Sequence, residues 1–225
     1  MDRPSDLYAS ARTLMVDGQV RPNKVYDGRL LDAMRTVPRD RFVPPARAAI
    51  AHSDTDVPLG HGRVLMQPMA IARLLQMALV RPQERVLVVA AATGYSAALL
   101  DACGASVVAL ESEPDLLARM RDNLTALAPK VEVVAGPLLD GWPQGAPYDV
   151  IVIDAAVEDV PASFARQLKP GGPQGGGRLV TVRWLDGLGL GVIAEVIGGA
   201  LRFNTIFDCA TPLLADFRRE PGFVF

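Results

Sequence analysis

Cysteine and histidine are scarce in this chain. Cys103, Cys209, His52 and His61 are all there are in 225 residues. Two cysteines cannot make a disulfide framework. They are expected as isolated buried thiols, with a single bridge as the alternative. Two histidines leave little material for a His/Cys zinc site. An excess of one charge is also missing: 23 Lys and Arg face 25 Asp and Glu, for a net charge of −2 and a pI near 5.7. Such a chain has no global attraction to nucleic acid or to an anionic membrane. No run of about eighteen residues is apolar without charge, so no membrane span is expected. The opening MDRPSDLYASARTL lacks the apolar core of a secretory signal. Internal repeats and long low-complexity tracts are absent, and only Pro170–Arg178, rich in glycine, reads as a mobile loop. What is present is apolar bulk: half the residues are hydrophobic and 21% are charged. That is too apolar for disorder and suits one full-sized domain. The expectation is a soluble, cytoplasmic, globular protein.

The first eighty residues read as helices and turns. Leu7–Val16 has apolar residues at helical spacing. Asp27 is placed to cap a helix that Pro38 ends. Phe42–Pro45 reads as a turn, and Pro58–Arg63, with two glycines around His61, as a loop. Pro68 opens an apolar helix through Leu79. From residue 84 the pattern changes. Arg85–Ala90 is a continuous apolar run, as in a strand buried on both faces. Further strands are expected at Ser106–Glu111, Val131–Val134, Tyr148–Asp154 and Arg178–Val182. Helices are expected between them at Ser96–Ala102, Pro114–Leu127 and Val160–Leu168. Strand and helix alternate, which predicts an α/β fold: a Rossmann-like, doubly wound, mostly parallel sheet. Val192–Val196 and Leu201–Phe207 are close enough to finish it antiparallel. The tail Pro221–Phe225 is apolar enough to dock. The chain divides into a helical substrate-side region over 1–80 and the sheet domain over 81–225, forming one compact unit.

In an open α/β sheet, ligands sit beyond the carboxyl ends of the strands. The first strand delivers Ala90-Ala-Ala-Thr-Gly94-Tyr95 to that edge, the second Glu111, the fourth Asp154. An acid about twenty residues after the first turn can accept hydrogen bonds from ribose hydroxyls. Glu111 is therefore a candidate ribose ligand, with a solvated strand end as the alternative. Asp154 is either a site residue or a cap for the next turn. A dinucleotide site needs G-x-G-x-x-G here, and only Gly94 is present, so an NAD or FAD enzyme is not indicated.

At these residues the chain resembles the protein L-isoaspartate O-methyltransferase family, S-adenosylmethionine-dependent enzymes of Rossmann-like fold. The resemblance runs from about Val20 to Val182. Val37-Pro-Arg-Asp-Arg-Phe-Val-Pro44 is similar to the family's V-P-R-x-x-F-V-P. Pro58-Leu-Gly-His-Gly62 followed by Gln67-Pro68 resembles P-I-G-x-G-x-x-I-S-Q-P. Arg85-Val-Leu87 with Thr93-Gly-Tyr-Ser-Ala-Ala98 resembles V-L-E-I-G-T-G-S-G-Y-x-A-A. Gly141-Trp-Pro143, Ala146-Pro-Tyr-Asp149 and Leu168-Lys-Pro-Gly-Gly172 are similar too.

The resemblance implies methyl transfer from S-adenosyl-L-methionine to the free carboxylate of L-isoaspartyl residues in damaged proteins. It places the cofactor against Ala90, Ala92, Gly94, Tyr95, Glu111, Gly136, Pro137 and Asp154. Gln67, His61 and Met66 fall on the substrate side, with capping, an exposed loop position and core packing as the respective alternatives. The departures fall at the same places. Met66 stands where the family has its serine and cannot donate a hydrogen bond as a hydroxyl does. Val88 replaces the motif's acid, Ala90 and Ala92 its leading glycines, and Pro137 the aspartate of G-D-G. Each lost hydrogen bond is worth roughly 0.5–1.5 kcal/mol net. Three or four such changes weaken cofactor binding on the order of a hundredfold. The competing expectations are a non-catalytic relative that binds a peptide or protein, and a methyltransferase with another acceptor.

Overall fold

The computed structural model describes residues 4–171 and 175–219. The tail expected to dock, Pro221–Phe225, and the centre of the glycine-rich loop, residues 172–174, lie outside them. The chain opens with helices α1 (Pro4–Met15) and α2 (Gly28–Thr36). Asp27 caps α2 as expected: its carboxylate accepts from the backbone N–H of Arg29 and Leu30. Two 3-10 turns, Arg39–Phe42 and Pro45–Ile50, replace the simple turn read there.

The expected loop at Pro58–Arg63 is instead the tip of a hairpin of β1 (Val57–Gly60) and β2 (Arg63–Leu65). Its two central residues, His61 and Gly62, have φ of 52° and 69°. Positive φ at both positions is what a type I′ turn requires, and that turn matches the twist of paired strands. Helix α3 (Pro68–Met77) follows, with proline in its first turn.

The main sheet then forms from β3 (Arg85–Val89), β4 (Ser106–Glu111), β5 (Glu132–Ala135), β6 (Val150–Val157), β7 (Arg178–Leu185), β8 (Leu188–Ile197) and β9 (Ala200–Asp208). Helices α4 (Tyr95–Ala102) and α5 (Pro114–Leu127) connect the first three of these strands. Spatial order is β5-β4-β3-β6-β7-β8-β9. The first five strands in that row are parallel, and β8 and β9 close it antiparallel. The segment read as a helix at 160–168 holds a 3-10 turn, Ala162–Arg166.

Alternation across β3 explains its continuous apolar run. Val86 and Val88 join the core that includes the N-terminal helices, whereas Leu87 and Val89 join the core on the opposite face. The first core runs without a break from Met15 through Met66 and Leu99 to Cys209. No helix among the described residues is long and apolar enough to cross a membrane.

Cys103 and Cys209 are free and buried. Burial pushes their thiols up, to about 11 and about 12. At neutral pH almost no thiolate exists to attack a disulfide reagent. Ellman's reagent is therefore expected to find neither thiol in the native protein and both in denaturant. Rapid titration of the native chain would contradict this burial.

Candidate active site at the carboxyl edge of the sheet

Register places the candidate residues side by side. Val89 of β3 pairs with Leu110 of β4 and with Ile153 of β6. The next residues along, Ala90, Glu111 and Asp154, therefore reach one edge together, where the strand order turns back on itself.

The turn after β3 is left-handed at three positions. Gly94 has φ of 95°, a conformation glycine adopts freely. Ala90 and Ala92 have φ of 60° and 51°, which costs an L-residue roughly 1–2 kcal/mol each. Both alanines are buried. The turn is braced from two sides. Thr93 Oγ1 donates to Phe42 O at 2.6 Å, and Asn123 Nδ2 donates to Thr93 O at 3.1 Å. Tyr95 opens α4 fully buried, edge-on to Phe42 at 5.3 Å and beneath the Arg39 guanidinium at 4.9 Å. Arg39 is itself completely buried and donates to Ala51 O at 2.6 Å and Met66 O at 2.5 Å. The residues that resemble V-P-R-x-x-F thus support the turn from behind.

Glu111 has no exposed surface and no free lone pair. Its Oε1 accepts from Arg63 Nη1 at 3.0 Å, Ser112 N at 2.9 Å and Glu113 N at 3.0 Å. Its Oε2 accepts from Arg63 Nη2 at 3.0 Å and Ala92 N at 2.7 Å. Arg63 Nη2 also donates to Ala90 O at 2.6 Å. Such a bidentate, charge-assisted pair is among the stronger polar contacts a protein makes. A ribose would need the same carboxylate oxygens.

Asp154 accepts a short hydrogen bond from Ser96 Oγ. Desolvation pushes its carboxyl up to about 6, against the pull of Ser96, Arg63 and Arg39 and with the help of Glu111. The cavity it lines with Arg63, Ala155 and Thr211 is about 10 Å³, roughly the room of a single water. A cavity of about 560 Å³ lies beyond β5, lined by Trp142, Gln144 and Arg166; of the expected cofactor residues it holds Pro137 alone. Gly136 N donates to Glu111 O at 3.3 Å, which keeps that strand end beside the site.

On the substrate side, Met66 is buried. Gln67 occupies the N-cap position of α3 without a side-chain cap bond, while its N–H donates to Asp56 Oδ1 at 2.7 Å. His61, at the hairpin tip, spans Glu113 at 3.4 Å and Asp115 at 3.2 Å.

Sequence reading missed Arg39, Arg63 and Ser96. For Arg63 a signal existed. In the short strand Arg63-Val64-Leu65, Arg63 shares a face with Leu65, which is buried.

Residues 12–180 match the family described as protein-L-isoaspartate(D-aspartate) O-methyltransferase. The chain belongs to this family. A protein-L-isoaspartate O-methyltransferase of Methylorubrum extorquens is 41% identical over 164 residues, 73% of this chain and 72% of the relative. One from Koribacter versatilis is 38% identical over 217 residues, 96% of both chains. A Plasmodium falciparum structure described as a beta-aspartate methyltransferase in complex with S-adenosyl-L-homocysteine has a TM-score of 0.77 at 17% identity, covering 91% of this chain and 98% of that one. At that identity the likeness shows the fold, which is the Rossmann-like methyltransferase fold expected. The isoaspartate methyltransferase family therefore supplies both the sequence relationship and the architecture. With Arg63 on Glu111, however, the carboxylate oxygens that a ribose would use are already engaged.

Proposed function

We propose that this chain is an S-adenosylmethionine-dependent methyltransferase that modifies the free carboxylate of L-isoaspartyl residues in peptides and proteins. The observation that carries this reading is the turn after β3. Ala90 and Ala92 hold left-handed backbone at the two positions where the family has glycine. An alanine stays in that conformation only where its surroundings over-determine it, and such strain gathers at functional sites. The turn here is left-handed at both positions although the glycines are gone. Glu111 lies level with it, at the ribose position. A carboxylate acceptor is already ionised at neutral pH, so the reaction asks for alignment and water exclusion rather than a general base. That suits an edge with no catalytic triad. Gln67, His61 and Met66 are the substrate-facing residues in this reading. Free thiols suit the reducing cytoplasm in which we place it.

The Arg63–Glu111 pair favours a second reading, a non-catalytic relative that keeps the scaffold and binds a peptide. Incubation with isoaspartyl peptide and methyl-labelled S-adenosylmethionine at millimolar concentration decides between them. Base-labile methyl ester is the expected product. S-adenosylhomocysteine at a hundred times its Kd should add about 2.7 kcal/mol to stability, a rise of roughly 5–10 °C for a chain this long. Neither ester nor stabilisation would leave the second reading.

A further inference from the structure

We propose that Arg63 is an internal competitor for the ribose position, so that an adenosyl ligand binds only when the guanidinium leaves Glu111. This rests on the methyltransferase reading above and specifies what limits its affinity.

Three observations carry it. Both oxygens of Glu111 are saturated, and two of their five donors are the Arg63 Nη atoms. The remaining three are backbone N–H groups of Ala92, Ser112 and Glu113, which stay in place when Arg63 moves. Withdrawal of Arg63 therefore uncovers a carboxylate already oriented, with Oε2 open to one ribose hydroxyl beside Ala92 N. Finally, the segment that carries Arg63 is built to give way at its tip. Gly60, His61 and Gly62 are exposed, and a Cβ added at either glycine would meet nothing within 4 Å. The base of the hairpin is different: Val57, Leu59 and Leu65 are buried in the core. The tip is held at the start of α5 by His61 against the half-buried Glu113 and the exposed Asp115, a contact near the surface of the kind that contributes little. The exposed tip is thus residues 60–62, on a fixed base, and it directly precedes the strand residue Arg63 whose guanidinium must leave.

A neutral diol competes poorly with a bidentate cation for a buried carboxylate, so the wild type should bind weakly. Calorimetric titration with S-adenosylhomocysteine compares the wild type with Arg63→Gln, which keeps one N–H donor for Glu111. At least tenfold tighter binding by Arg63→Gln is expected. Equal or weaker binding by the variant overturns the proposal and leaves the methyltransferase reading standing. Should the variant not fold, hydrogen exchange on the wild type gives an independent answer. Millimolar S-adenosylhomocysteine should slow exchange at residues 90–95 and speed it at 60–63. Protection of both segments would mean that ligand docks beneath a closed tip, again overturning the proposal alone. No effect of ligand on either protein by either method would remove the proposal and the methyltransferase reading together.

Discussion

Replacing Arg63 with methionine should lower the unfolding free energy by about 3–5 kcal/mol. Both members of the pair are buried, with side-chain exposures of 6% and 0%. Methionine fills much of the volume but leaves the Glu111 charge in a dry site. Three backbone N–H donors remain on it, which holds the loss toward the lower end. Glu111→Gln removes the opposite charge and turns an amide N–H toward groups that are themselves donors. It should cost about 2–3 kcal/mol. The double variant has no buried charge left to strand. Its loss should fall short of the sum of the single losses by about 2 kcal/mol. Urea midpoints at constant slope read all three values. Strict additivity would mean the two side chains do not meet in solution, and the closed edge would then be no property of the native chain.

How much of this was legible in the sequence depends on how local each signal is. The parallel strands were legible because burial on both faces leaves an uninterrupted apolar run, and β4 and α5 fall at the expected residues. Asp27 was legible because a cap is a contact between near neighbours. The last strands run further than expected because their turns were not used. Asp186-Gly187 and Gly198-Gly199 all have positive φ. They are two-residue hairpin turns that carry pairing up to Leu185–Leu188 and Ile197–Ala200. Glycines around His61 pointed to a loop for the same reason: the composition of a type I′ turn and of an irregular loop is alike until the flanking strands are paired. The site was legible as a set of positions and illegible as a state. Sequence places Glu111 at the edge, but its partner lies 48 residues earlier in a three-residue strand. No periodicity reports a contact of that range.

Asp154→Asn should stabilise the protein by about 3 kcal/mol at pH 8 and by nothing at pH 3.5. Desolvation holds the Asp154 carboxyl up at about 6, above the ordinary 3.8. The folded chain therefore binds this proton more tightly than the unfolded one. Its favourable contribution is complete below the unfolded value and is lost as pH rises through 6. Asparagine never ionises, so it escapes that loss while still accepting from Ser96 Oγ. His52 works in the opposite direction over nearly the same range. Burial lowers it from 6.5 to about 4, although Asp40 lies 3.9 Å away and opposes the shift. Its contribution is complete above 6.5 and is lost as pH falls toward 4. Each group contributes at most about 1.4 kcal/mol per pH unit. Between pH 4 and 6 the two slopes oppose one another in the wild type. Removing Asp154 leaves His52 unopposed, so the variant should lose more stability on acidification than the wild type does. Urea unfolding of both proteins from pH 4 to pH 8 tests this, and parallel curves would show that Asp154 is ionised without cost. An acid kept ionised against its surroundings at neutral pH lowers stability. That cost is the cause of the gain expected from asparagine, and it falls on the residue that lines the closed cavity beside Arg63.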